Sequence, residues 1–157
     1  MTIKYVTSKG FTLVELMIMV AIIGILAVIG MPQYQNYTAS AQATEGLALA
    51  SGLKTIITEY YSVHGSFPDD GGSDSNATIG AKPANHIFGD YVENVATSDD
   101  GLGTLTATFK SGHHDGKFLQ PKVSVPDGAI SYRCESDIQG SQRPISYSTV
   151  DPSTSAV

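Results

Sequence analysis

Between residues 16 and 31 the chain carries no charged side chain, and the apolar run reaches back to Phe11. At about 1.5 Å per residue, a helix of that length crosses a hydrocarbon core of about 30 Å. Beyond the run the pattern turns from uniformly apolar to periodic. Tyr34, Tyr37, Ala41, Leu49, Leu53, Ile56, Ile57 and Tyr60 recur at spacings of three, four or their multiples, which predicts one apolar stripe on an amphipathic helix. His64 and Gly65 then supply a stop signal, a basic residue in the last turn followed by a glycine that accepts positive φ. A helix over residues 12–63 is roughly 78 Å long at that rise, against about 40 Å for a globule of this chain length. Its apolar half is expected to project and to need lipid or protein around it. Gly24, Gly30 and Pro32 are its weak points, because glycine loosens a helix and proline removes a donor.

The second half of the chain alternates instead. Residues 66–103 are turn-rich and polar, and read as a connection between helix and sheet. Residues 104–109 alternate strictly, with Leu105, Ala107 and Phe109 on one face. Residues 118–125 form a second strand candidate, in which Pro121 points to an edge position or a bulge. Pro126, Asp127 and Gly128 make a turn, and residues 129–135 a third strand with Ile130, Tyr132 and Cys134 on one face. A fourth strand is expected within residues 144–150, followed by an unanchored tail. An antiparallel meander of about four strands packed on the helix buries both apolar faces, an α+β fold.

Charge adds one anomaly. Glu15 lies inside the apolar run, one turn from its start. A carboxylate near a bilayer centre costs about 2.5–3.5 kcal/mol and calls for a partner. Ahead of it stands a short leader, residues 1–10, carrying Lys4 and Lys9 and ending in Gly10. A secretory signal is cut after its apolar segment. Here the glycine precedes that segment, so cleavage between Gly10 and Phe11 leaves the apolar helix on the mature chain and creates an amine on Phe11 that Glu15 can neutralise. The plain alternative is an uncleaved anchor with its lysines held inside.

The Gly-Phe-Thr-Leu-Val-Glu stretch from Gly10 to Glu15, with its basic leader and apolar sequel, resembles the type IV pilin signature. The likeness to type IVa major pilins is close over residues 8–68 and looser through residues 90–95, 104–109 and 128–134. It implies a long N-terminal helix on a four-stranded antiparallel sheet, divided into leader 1–10, filament-core helix 11–32, amphipathic helix 33–65, connection 66–103, and sheet with C-terminal region 104–157. It also implies removal of the leader by a prepilin peptidase, N-methylation of Phe11, and assembly through Phe11 and Glu15 into a homo-oligomeric helical filament. Gly24, Gly30 and Pro32 become points of helix flexibility, extended in the family's filaments. The expected partners are the inner membrane before assembly, the pilus assembly machinery and minor pilins. The expected place is an extracellular pilus on a Gram-negative cell, serving adhesion, twitching motility or DNA uptake. A pseudopilin of a type II secretion system and a membrane-anchored binding module that never polymerises are the alternatives. Residues 31–37 and 58–65 favour the pilus subunit.

One departure stands out. The family closes a C-terminal loop with a disulfide whose first member Cys134 resembles, yet the sequence holds a single cysteine. Residues 135–157 must be held by packing and hydrogen bonds alone or be less ordered, without the roughly 2–4 kcal/mol a disulfide contributes. Cys134 itself is expected to be a buried small hydrophobe.

The remaining chemistry is thin. His113, His114 and Asp115 read as a polar turn rather than a metal site, since adjacent loop residues rarely converge on one ion. The acidic residues of 69–74 lack a calcium-loop pattern. The sequons at Asn36 and Asn76 are weighted as chance. No nucleophile with a base in recognisable context is present, so neither enzyme activity nor a cofactor is expected. Net charge is −6, and loss of Lys4 and Lys9 with the leader makes the chain more acidic by a further two units. Such a chain offers no generic polyanion surface, and DNA binding is left open.

Overall fold

The computed structural model describes residues 10–69, 75–98, 101–125 and 129–144. The leader up to Lys9, most of the acidic 69–74 loop, the 126–128 turn and the tail from residue 145 lie outside the described residues. Of the expected strand at 144–150, only Pro144 falls within them. The chain divides into two compact units, Met1–Gln35 and Asn36–Val157.

Helix α1 runs over Leu13–His64 with Pro32 inside it. Its end matches the predicted stop: Gly65 takes φ 74° and its N–H donates to Tyr61 O at 2.8 Å. In the first unit the helix buries nothing. Large apolar side chains from Phe11 to Met31 are 46–76% exposed. In the second unit it buries Ala39, Ala43, Gly46, Ala50, Leu53 and Ile57. This corrects the predicted stripe at its N-terminal end, where Tyr34, Tyr37 and Ala41 are exposed. The reason is close packing: the sheet approaches so nearly that a Cβ on Gly46 would lie 2.7 Å from Phe109 Cζ. Small residues, not large ones, make this part of the buried face.

The sheet is an antiparallel meander in the order β1 (Val92–Thr97), β2 (Leu105–Phe109), β3 (Phe118–Ser124), β4 (Ser131–Ser136). The α+β architecture is the expected one, but the sheet starts at Val92, inside the segment read as connection. Leu105, Ala107 and Phe109 are fully or almost fully buried, as their alternation predicts. Pro121 is not on an edge, since β3 lies between β2 and β4. Val123 N–H donates to Gly103 O on the β2 side, so Pro121, two residues away, has its missing donor on that side too. The β2–β3 ladder accordingly stops at Ala107↔Leu119, with a lone bridge at Thr104↔Lys122, while β3–β4 pairing runs unbroken. On β4, Cys134 is buried, whereas Tyr132 and the preceding Ile130 are 44% and 42% exposed. Tyr132 meets α1 at its margin, its hydroxyl 3.1 Å from Thr58 Oγ1 and its ring under Lys54 Nζ.

Candidate assembly site at the helix start

Gly10, Phe11 and Thr12 precede the first helical residue, Leu13. Thr12 acts as the cap: its Oγ1 accepts the N–H of Glu15 at 3.2 Å and its carbonyl accepts that of Leu16. The order Thr-x-x-Glu has the spacing of a capping box, with its Thr12 half formed here, so Glu15 occupies the place where an acid or amide favours helix initiation and meets the positive end of the helix dipole. That local role was not drawn from the sequence, although the spacing carries it. Glu15 and Phe11 are both exposed, Phe11 by 60%. The subunit alone gives the carboxylate no burial and leaves the whole apolar segment uncovered.

The helix is long and apolar enough to cross a membrane by length and composition. Exposing some fifteen large apolar side chains to water costs on the order of tens of kcal/mol, several times the stability of an ordinary domain. Lipid or other chains must cover them. Gly24 and Gly30 lie within this run, with open space where a Cβ would stand. Both glycines and Pro32 are helical here.

The other sequence candidates fall elsewhere. His113 and His114 sit in a 3₁₀ turn, Gly112–His114, between β2 and β3, and they diverge. His113 is exposed; His114 is fully buried, its ring edge-on to Phe109 at 5.5 Å. The pair is therefore half polar turn and half core. His114 Nε2 lies 2.8 Å from Ala39 O, and burial lowers its pKa below that of a free histidine. Among the described residues, no group of three or more His, Cys, Asp or Glu is arranged to hold a metal. Asn76 is buried, donating to Lys82 O and Val95 O and accepting Thr97 N–H at 2.7 Å, so this sequon is closed in the fold.

Cys134 is 8% exposed and belongs to the core. The described residues after it are tied down without a disulfide. Ile138 is 1% exposed, Asp137 Oδ1 accepts Phe118 N–H, and Arg143 Nε donates to Ile138 O at 2.9 Å. Ser40 of α1 donates to Arg143 O at 3.0 Å.

Comparison with known proteins agrees with this architecture. The family described as Pilin (bacterial filament) matches residues 39–152, and the prokaryotic N-terminal methylation motif matches residues 7–31. A fimbrial protein of Neisseria meningitidis serogroup A is 36% identical over 95% of this chain and 85% of its own. The type IV major pilin protein PilE of Neisseria gonorrhoeae is 41% identical over 81% of this chain and 74% of its own. The fimbrial protein EcpC of Eikenella corrodens is 43% identical over 88% and 90%. An uncovered apolar helix capped by Thr12 and marked by Glu15, a four-stranded meander, and these matches over both parts of the chain lead to one assignment: the protein belongs to the pilin family of bacterial filament proteins.

Proposed function

We propose that this chain is the major structural subunit of a type IV pilus. It enters the inner membrane with its leader, is cut after Gly10 by a prepilin peptidase and methylated on the Phe11 amine. It then polymerises through its N-terminal helix into an extracellular fibre on a Gram-negative cell, a localisation supported by the Neisseria relatives. The observation that carries this reading is the uncovered apolar run from Phe11 to Met31, in which Glu15 is the single charged residue. A plain anchor needs the apolar run and is made costlier by the acid; a staggered bundle of copies uses both. The amine of one chain neutralises the acid of a neighbour, and the apolar faces cover one another. On this reading the protein's work is mechanical, without a catalytic centre or cofactor, and minor pilins and the assembly machinery act on it from outside. The relatives' printed names, major pilin and fimbrial protein, favour this over a secretion pseudopilin.

Electron microscopy of material sheared from the cell surface, with intact-mass measurement of the same material, tests it. Long fibres composed of this polypeptide and beginning at Phe11 are expected. Fibres of full-length chain overturn the processing step, and absence of the polypeptide from surface fibres overturns the function.

A further inference from the structure

The histidines of the 111–116 turn make three polar contacts to α1. His114 Nε2 meets Ala39 O at 2.8 Å, His113 N–H donates to Gln42 Oε1 at 2.8 Å, and His113 Nε2 lies 3.5 Å from Thr38 Oγ1. A carbonyl only accepts, so Nε2 of His114 carries the hydrogen and Nδ1 holds the lone pair. That Nδ1 is buried and has no hydrogen-bond partner. An unpaired neutral nitrogen inside a core is tolerable; an unpaired N–H of an imidazolium is far worse, because charge and donor are both left uncompensated.

The surroundings do little to offset a charge there. Burial is the largest effect against it; Lys117 just before β3 and His113 in the same turn also oppose it, while the Ala39 carbonyl and, more weakly, Asp137 beyond β4 favour it. Asp137 is already occupied with Phe118 N–H. Helix α1 presents the Ala39 carbonyl and β2 presents the Phe109 ring. The turn has its own independent closure. Gly116 N–H donates to Phe109 O, Phe109 N–H to Lys117 O, and Lys117 N–H to His114 O. Gly112 and Gly116, both at positive φ, stand at its two ends. The turn can leave the helix without unzipping the hairpin.

We propose that His114 is an acid-sensitive latch, holding the 111–116 turn on α1 while neutral and freeing it on protonation while the β2–β3 hairpin stays paired. The sign follows from linkage. A histidine whose folded pKa lies below its free value contributes stability that is complete above about pH 6.5 and is lost as pH falls from there toward the folded value. One proton taken up on opening raises the open fraction about tenfold per pH unit in that window.

Hydrogen exchange reads the two parts separately, because the His113 amide reports the helix contact and the Phe109 and Gly116 amides report the hairpin. In the full mature subunit in detergent micelles, corrected for intrinsic rates, His113 protection is expected to fall about tenfold per pH unit below about pH 6.5, with Phe109 and Gly116 holding. In His114→Gln, which keeps a donor but does not titrate, His113 protection is expected to be flat with pH. A flat wild-type profile, or the same slope in His114→Gln, overturns the latch, as does hairpin loss in step with His113. If His114→Gln does not fold, the wild-type ring is titrated directly by NMR. A ring titrating below the free-histidine range together with the loss of His113 protection supports the latch, and titration at the free value overturns it.

Discussion

At position 46 the helix has no room for a side chain. A Cβ there would meet Phe109 Cζ at 2.7 Å, and Phe109 is 1% exposed, so the ring has nowhere open to retreat. Gly46→Ala gains about 1 kcal/mol in helix propensity and loses about 1–3 kcal/mol to overpacking, for a net destabilisation of up to about 2 kcal/mol. Thermal unfolding of the mature subunit checks the sign; a raised midpoint contradicts the close packing. The same contact explains what a sequence reader could not see. At the N-terminal end of the stripe the residues that stand out are the tyrosines at 34 and 37, and both are exposed. Alanine and glycine report burial only when it is known that something large packs against them, and Phe109 comes from a strand more than sixty positions later. His114 was hidden for a related reason: nothing in a His-His-Asp string says which histidine turns inward. By contrast, Phe11 and Glu15 stand out within an apolar run with no other charge, so the two candidates and their place at the start of the helix could be read from the sequence, while the Thr12 cap beside them was passed over.

Among the elements, α1, β2 and β3 were legible because each has a clean period. Strand β1 was not. Its register shifts between Val92 and Asn94, so the buried positions fall at 92, 95 and 97 and the alternation breaks where a reader needs it. The helix carries the element-scale prediction. Two glycines and a proline within residues 24–32 weaken it by about 5 kcal/mol relative to alanine, summing ordinary propensities. It is nonetheless regular through this segment here. In lipid, unpaired backbone groups are too costly for it to open. Packed among copies, where other polar groups and water become available, the segment is expected to lose regular helix. A fibre map with unbroken helix from Leu13 to His64 contradicts this.

For the whole molecule, the determining feature is that one part of the chain completes its own core and the other has none. Residues 43–138 supply the hydrophobic cluster, held at its C-terminal end by Ile138 and Arg143 in place of a disulfide. Residues 11–31 supply apolar surface without a partner. A subunit so divided is complete only in lipid or in a polymer, and on the reading proposed above Glu15 sets which arrangement of copies is allowed. Burying that carboxylate unpaired among apolar helices is strongly unfavourable, and a neighbour's Phe11 amine removes the penalty only at one stagger of about a turn. The competing account is that Glu15 serves the Thr12 capping box alone, in which case glutamine, an equally good residue there, should suffice. The deciding measurement is a fibre count by electron microscopy in cells carrying Glu15→Gln or Glu15→Ala, with mature subunit in the membrane quantified alongside. The account predicts that both variants are inserted and processed at wild-type level yet give few or no fibres. Normal piliation by Glu15→Ala at equal subunit level contradicts it.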